Sequence, residues 1–334
     1  MAGQERRPKE TKPMRRVLPV LLALGAFGLS APALAANVKI TPLGSHDGEL
    51  CPLDRALVFE DPDGTRILYD PGRTVRGPDD PRLGKIDVVL LTHVHGDHLG
   101  DAIQPQANAG QCGKPDFSVR VTPNSNTVNI VVAKKASLIV GSEMPSFFAA
   151  KVKEAGGETS QVKLLRFGGF TKVGGVGFAS VPALHSNGLH PAFLSNKEQS
   201  DALAAQGLTV YVGEPGGYVV RFSNGLVAYL SGDTGITAEQ DIVVRRHYKA
   251  NLAVMNIGDT FTTGPTEAAY VINELVQPKS VIPSHVNEPA TEGGKLRPNS
   301  RTAAFVAASK VPVHLPLSGR TMEFDGQGTC VAGC

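Results

Sequence analysis

The sequence predicts an α/β protein in which two sheets pack together with helices on the outside. Three observations predict it. Short strand patterns come first and strand–helix alternation follows, with strands then helices in each half of the chain. Segments such as Ile86–Leu91 are near-continuous apolar runs, the pattern of a strand buried on both faces. The residues that carry chemistry sit where such strands end.

The elements follow in order. Val38–Thr41 reads as a strand, and Ala56–Glu60 and Arg66–Asp70 form a hairpin across Asp61-Pro62-Asp63-Gly64. Ile86–Leu91 is the buried strand, and Gln104–Pro115 reads as an inserted loop rich in Gln, Gly, Asn and Pro. Asn126–Lys135 is a helix, Ser137–Val140 a strand, and Pro145–Ala155 a helix stopped by Gly156-Gly157. Strands are expected at Val162–Arg166, Gly177–Leu184 and Leu208–Val212. A hairpin over Tyr218–Leu230 turns at Asn224-Gly225, the favoured two-residue pair. Helices at Ala238–Tyr248, Thr266–Val276 and Asn299–Ala308 then alternate with strands at Leu252–Ile257, Ser280–Pro283 and Val311–Leu317. Residues 36–334 therefore read as one domain.

Residues 1–35 read as a cleaved export signal. Basic residues ending in Arg15-Arg16 precede an apolar run, Val17–Leu29, and Ala33-Leu34-Ala35 supplies the small residues of a cleavage site. The run is too short for a spanning helix, so no stable membrane insertion is expected after cleavage, and the location is periplasmic or secreted. The leader holds six of the 33 basic residues and two of the 31 acidic ones, which leaves 27 against 29 in residues 36–334. That mildly acidic balance gives no electrostatic footprint for nucleic acid. Cys51, Cys112, Cys330 and Cys334 suit an oxidising compartment and allow three pairings. Cys330 and Cys334 are near enough to close locally, which favours Cys51–Cys112 as the other bridge.

The chemistry concentrates in Thr92-His93-Val94-His95-Gly96-Asp97-His98. The chain has nine histidines, and three of them fall in this one turn beside a carboxylate. Clustered imidazole and carboxylate donors at a strand end suit a metal site far better than packing. His185 follows the strand Val181–Leu184, Asp233 follows Ala228–Gly232, and His285 follows Val281–Ser284. One strand-end histidine is usually a polar cap, but three such positions after a dense cluster point to convergence on one sheet edge. Asp259, His190 and His46 are further candidates for orienting ligands or touching substrate, with loop-surface roles as the alternative for the two histidines. His247, His314, Phe147 and Phe148 read as structural or surface positions.

Thr-His-x-His-x-Asp-His, a separate His, a Gly-Asp and a late Pro-x-His together resemble the metallo-β-lactamase superfamily. The segment Asn256–Pro265 and the closing Val281–His285 look most like its UlaG-like branch of metal-dependent hydrolases. The resemblance implies an αββα sandwich of two mixed sheets with a dinuclear site in the cleft. Carried over, His93, His95 and His185 hold one metal. Asp97, His98 and His285 hold the other, and Asp233 bridges both, with Asp97 and Asp233 as the catalytic carboxylates. Asp70 matches the strand-end Asp that supports the ligand loop.

Two divalent ions about 3.5–4 Å apart can share a water and lower its pKa toward neutrality. Zinc is the expected ion, and manganese or iron also accepts these donors. The expected activity is hydrolysis of a small ester, lactone or phosphodiester. The alternatives are a periplasmic β-lactamase and a metal-retaining protein without turnover.

Overall fold

The computed structural model describes residues 36–334 together with residues 3, 4 and 10. The expected leader, residues 1–35, otherwise lies outside the described residues.

Fourteen strands build two sheets. In chain order they are β1 (Val38–Pro42), β2 (Leu57–Glu60), β3 (Arg66–Tyr69), β4 (Val88–Leu90), β5 (Ser137–Val140), β6 (Val162–Leu164) and β7 (Phe170–Val173). They continue with β8 (Val176–Pro182), β9 (Gly216–Arg221), β10 (Val227–Leu230), β11 (Leu252–Asn256), β12 (Ser280–Ser284), β13 (Met322–Phe324) and β14 (Cys330–Ala332). The first sheet runs β6-β5-β4-β3-β2-β1-β13-β14 and the second β7-β8-β9-β10-β11-β12. Both are mixed: β3, β4, β5 and β6 are parallel in one, and β10, β11 and β12 in the other.

The alternation of side chains along each strand explains the layers. Val88 and Leu90 of β4 face the second sheet, where they join Phe178, Tyr218, Leu230 and Val254 in one core. Val89 points the other way, to a core shared with Val128 and Val131 of helix Asn126–Lys134 and Phe148 and Val152 of helix Met144–Glu154. The second sheet behaves likewise. Ala228 and Leu230 of β10 face inward, while Tyr229 packs outward with Val244, Ile272 and Phe305 of the helices on that side. The result is the expected αββα sandwich, and strands covered on both faces account for the unbroken apolar runs. No helix among the described residues is long and apolar enough to cross a membrane.

Several local expectations need correction. The β9–β10 hairpin has a three-residue loop, with Phe222 N donating to Leu226 O and Gly225 at φ +97°. Asp61 accepts from Ser223 N (2.7 Å) and Oγ (2.6 Å), holding the loop open beyond a two-residue turn. Val311–Leu317 is not a strand: Val313 makes one isolated bridge to Val281, and Pro312 and Pro316 cannot donate to a ladder. The first sheet is extended instead by β13 and β14, where β13 pairs with β1. Leu208–Val212 shrinks to the two-residue pairing Val210–Tyr211 with Gly188–Leu189. The inserted loop contains a small hairpin, Gly110–Gln111 with Lys114–Pro115.

Both expected cysteine pairs are joined, Cys51 to Cys112 and Cys330 to Cys334. The first closes 61 residues. On the chain-entropy account a loop of that size contributes about 4 kcal/mol through the unfolded state. Replacing Cys51 and Cys112 with serine is expected to lower the unfolding free energy by up to about 4 kcal/mol. Denaturant titration checks this, and an unchanged midpoint would show that the bridge is energetically idle.

Candidate metal centre

The site lies where strands of the two sheets end on one edge. β3 delivers Asp70, β4 delivers the loop Thr92–His98, and β8, β10 and β12 deliver His185, Asp233 and His285. Because β8, β10 and β12 point the same way, their three donors emerge on the same side. All seven residues expected as donors come together. Asp233 stands at the middle, with Oδ2 2.9 Å from His285 Nε2, 3.7 Å from His185 Nε2 and 3.8 Å from His93 Nε2. Its Oδ1 lies 3.4 Å from His98 Nε2. Asp97 Oδ2 lies 3.5 Å from His285 Nε2 and 3.6 Å from His98 Nε2, and His95 Nδ1 lies 3.3 Å from His185 Nε2.

Three groups of mutually close donor atoms result: His93, His95 and His185; His93, His98 and Asp233; and Asp97, His98 and His285. Among the described residues nine buried side-chain nitrogen or oxygen atoms have no hydrogen-bond partner, and four belong to this cluster: His93 Nε2, His98 Nε2, Asp233 Oδ1 and His285 Nδ1. Buried polar atoms are ordinarily satisfied, so orphans gathered at one point, three of them donor atoms aimed at each other, fit a cation.

Asp70 sets the imidazoles. It is fully buried, accepts from Thr92 N (2.9 Å) and Thr92 Oγ1 (2.8 Å), and lies 2.8 Å from His98 Nδ1. The network assigns the tautomers: His98 Nδ1–H donates to Asp70. The Thr92 hydroxyl, donating to Asp70, accepts from His93 Nδ1–H at 3.0 Å. Both Nε2 atoms are thereby turned inward, the arrangement by which carboxylates orient metal-binding histidines. The turn after Asp70 presses on the ligand loop. Gly72 has φ +53°, its N–H donates to His98 O at 2.9 Å, and a Cβ there would lie 2.3 Å from Asp97 O. Only glycine fits that approach.

Burial dominates the protonation behaviour. It lowers His93 well below the usual imidazole value and also lowers His95 and His185, aided by neighbouring imidazoles. For His98 burial is overcome by Asp233, Asp97 and Asp70, which raise it. Burial opposes charge on Asp97 and Asp233 too, yet the surrounding His98 and His285 hold both well below the carboxylate range.

Arg55 has no strand-end or motif signal, but it is the group that supports Asp97. Its side chain is 1% exposed. Nε and Nη2 donate to Asp97 Oδ2 at 3.2 and 3.1 Å, Nη2 also donates to Asn287 Oδ1 at 2.7 Å, and Nη1 donates to Pro52 O and Asp54 O. All five guanidinium protons are engaged. The donors open onto a cavity of about 510 Å³ whose other walls are Leu53, Ser186, Thr260, Phe261 and Asn287.

The remaining candidates lie outside the centre. His46 faces Ser45 Oγ and Gly110 O, and His190 accepts from Ala192 N to cap a short helix. Asp259, at φ +46°, accepts from Thr260 N at 2.7 Å and shapes the loop that carries Phe261. His314 packs on Phe324, His247 against Tyr248, and Phe148 lies in the outer core with Phe147 beside it.

The family model described as a beta-lactamase superfamily domain matches residues 65–286, a stretch that contains all seven donors. The chain is 30% identical over 317 residues to a UPF0173 metal-dependent hydrolase of Polynucleobacter asymbioticus, covering 91% of this chain and 94% of that one. A metal-dependent hydrolase of Cupriavidus metallidurans is 31% identical over 280 residues, with 79% and 80% covered. Among solved structures, a metallo hydrolase from the archaeon Ignicoccus hospitalis shares the fold with a TM-score of 0.56 at 22% identity, covering 86% of this chain and 99% of that one. The chain therefore belongs to the beta-lactamase superfamily and is a metal-dependent hydrolase of the metallo-β-lactamase fold.

Proposed function

We propose that the chain is an exported hydrolase that holds two divalent ions and cleaves a small ester, lactone or phosphodiester. The observation that carries this reading is the position of Asp233, one carboxylate facing four imidazoles from three separate segments. In this reading His93, His95 and His185 hold one ion, Asp97, His98 and His285 the other, and Asp233 serves both. Bound divalent ions supply Lewis acidity toward an electrophilic oxygen and activate water at neutral pH, and zinc, manganese or iron suits this donor set.

The chain's own residues do the rest. Asp70, directly for His98 and through Thr92 for His93, holds the outward Nδ1 atoms and so aims both Nε2 atoms inward. Arg55 fixes the plane of the Asp97 carboxylate and balances part of its charge. The cavity walls admit a small molecule and limit water around the donors. The two disulfides and the expected leader support placement outside the cytoplasm.

Protein purified without chelator is expected to carry about two divalent ions per chain by elemental analysis, and dialysis against a chelator is expected to remove them together with hydrolytic activity. A stoichiometry near zero, or activity that survives complete removal, would sink the proposal.

A further inference from the structure

The walls of the cavity restrict what can enter. Apart from the donors they are Leu53, Ser186, Thr260, Phe261 and Asn287, with no lysine or arginine among them. Arg55, behind Asp97, is buried with every proton engaged, and the Asn287 oxygen is engaged by it. A substrate with an anionic tail would therefore meet no cationic side chain there. Two of those walls, Leu53 and Phe261, are apolar, and exposed apolar side chains also neighbour the donors in sequence. Phe261 is 68% exposed, and Leu184, next to His185, is 67% exposed. Ile236, three residues after Asp233, is 43% exposed. Large apolar side chains left in water around a polar centre mark a surface that is completed by an apolar group.

We infer that the substrate is a neutral carboxylic ester or lactone bearing an apolar chain, which lies against Phe261 and Leu53 while its carbonyl faces the donor cluster. This rests on the hydrolase reading above. In the reaction a water oxygen bonds to the acyl carbon and the acyl C–O bond breaks. The alkoxide that leaves ends with one of the water's protons, giving a carboxylic acid and an alcohol. No oxidant or other co-reactant is needed.

Binding and turnover test the inference separately. Zinc-loaded protein is titrated calorimetrically with n-alkyl hydroxamates from acetyl to octanoyl, which place a chelating head at the donors and a chain on the walls. Full burial of a methylene is worth about fourfold in affinity, so Kd is expected to fall about threefold per added methylene on this half-open surface. In a Phe261→Ser, Leu53→Ser variant with unchanged zinc content, the gain from acetyl to octanoyl is expected to shrink by about tenfold or more. Affinity independent of chain length, or an undiminished gain in the variant, overturns the assignment. Turnover is then compared on p-nitrophenyl acetate, hexanoate and octanoate and on bis(p-nitrophenyl) phosphate, with kcat/KM expected to rise along the ester series. Preference for the phosphate diester overturns this inference and leaves the hydrolase reading intact. No turnover of any substrate, with hydroxamate affinity still rising with chain length, overturns the hydrolase reading and supports the apolar subsite.

Discussion

Asp233→Ala is expected to abolish hydrolysis, lowering kcat by about a thousandfold or more, and to reduce bound metal from about two ions to one or none. Removing a single electrostatic stabiliser from an active site already acts on a scale of about 10²–10³, and Asp233 does more than one such group. Its two oxygens face the inward nitrogens of His93, His98, His185 and His285, so their common negative partner disappears with it. Asp233→Asn keeps the shape and removes the charge, and it should lose activity nearly as far, because a cation held among four imidazoles loses its anionic partner. The fold should survive both changes, since the core strands do not depend on this side chain, and circular dichroism checks that. His98→Ala is expected to show the same loss of activity. Retained activity in a folded Asp233→Ala protein would show that this carboxylate is not part of the machinery.

Arg55→Met is expected to destabilise the metal-free protein by about 3 kcal/mol, the lower end of what breaking a buried ion pair costs. The lower end applies because Asp97 keeps 22% of its side chain exposed while Arg55 is sealed. The substitution removes both donors from Asp97 Oδ2 and leaves the Asn287 oxygen and two backbone carbonyls without their partner. In protein loaded with zinc the loss should be smaller, because a cation beside Asp97 supplies the missing positive charge. Arg55→Lys should recover little, since one ammonium cannot reproduce a fork that reaches a carboxylate, an amide and two carbonyls together. Denaturant unfolding with and without zinc reads the difference. Equal losses in the two states would mean that Arg55 serves packing and not the charge of Asp97.

The contrast between these two residues shows what a sequence displays. His93, His95, Asp97 and His98 announce themselves because scarce residue types crowd one strand end, and His185, Asp233 and His285 because each closes an apolar run. Arg55 precedes its partner by 42 residues and lies just before a strand, where an arginine ordinarily signals nothing. Phe261 has no apolar neighbour in a periodic pattern, so its place at the mouth of the cavity comes from the left-handed turn at Asp259 and Thr260. Core strands were legible for the same reason as the donors, since burial on both faces writes itself as apolar runs. The helix Lys197–Ala205 was not, because it buries no residue and is marked chiefly by its Asn196 cap on Gln199 N. The strands Met322–Phe324 and Cys330–Ala332 are short, and the first of them, on which the second pairs, depends on a partner nearly 300 residues away.

The distribution of donors between the sheets also has a consequence for the order of synthesis. Four of them emerge early, in the turn His93–His98, whereas His285 is made almost two hundred residues later. A nascent chain thus displays an open, four-donor turn for about 135 residues of elongation before Asp233 is made, and still lacks the last imidazole after that. Domains fold as units, so the centre cannot close until residue 285 has appeared. A chain interrupted before that point carries the most recognisable part of the motif and none of its finished geometry.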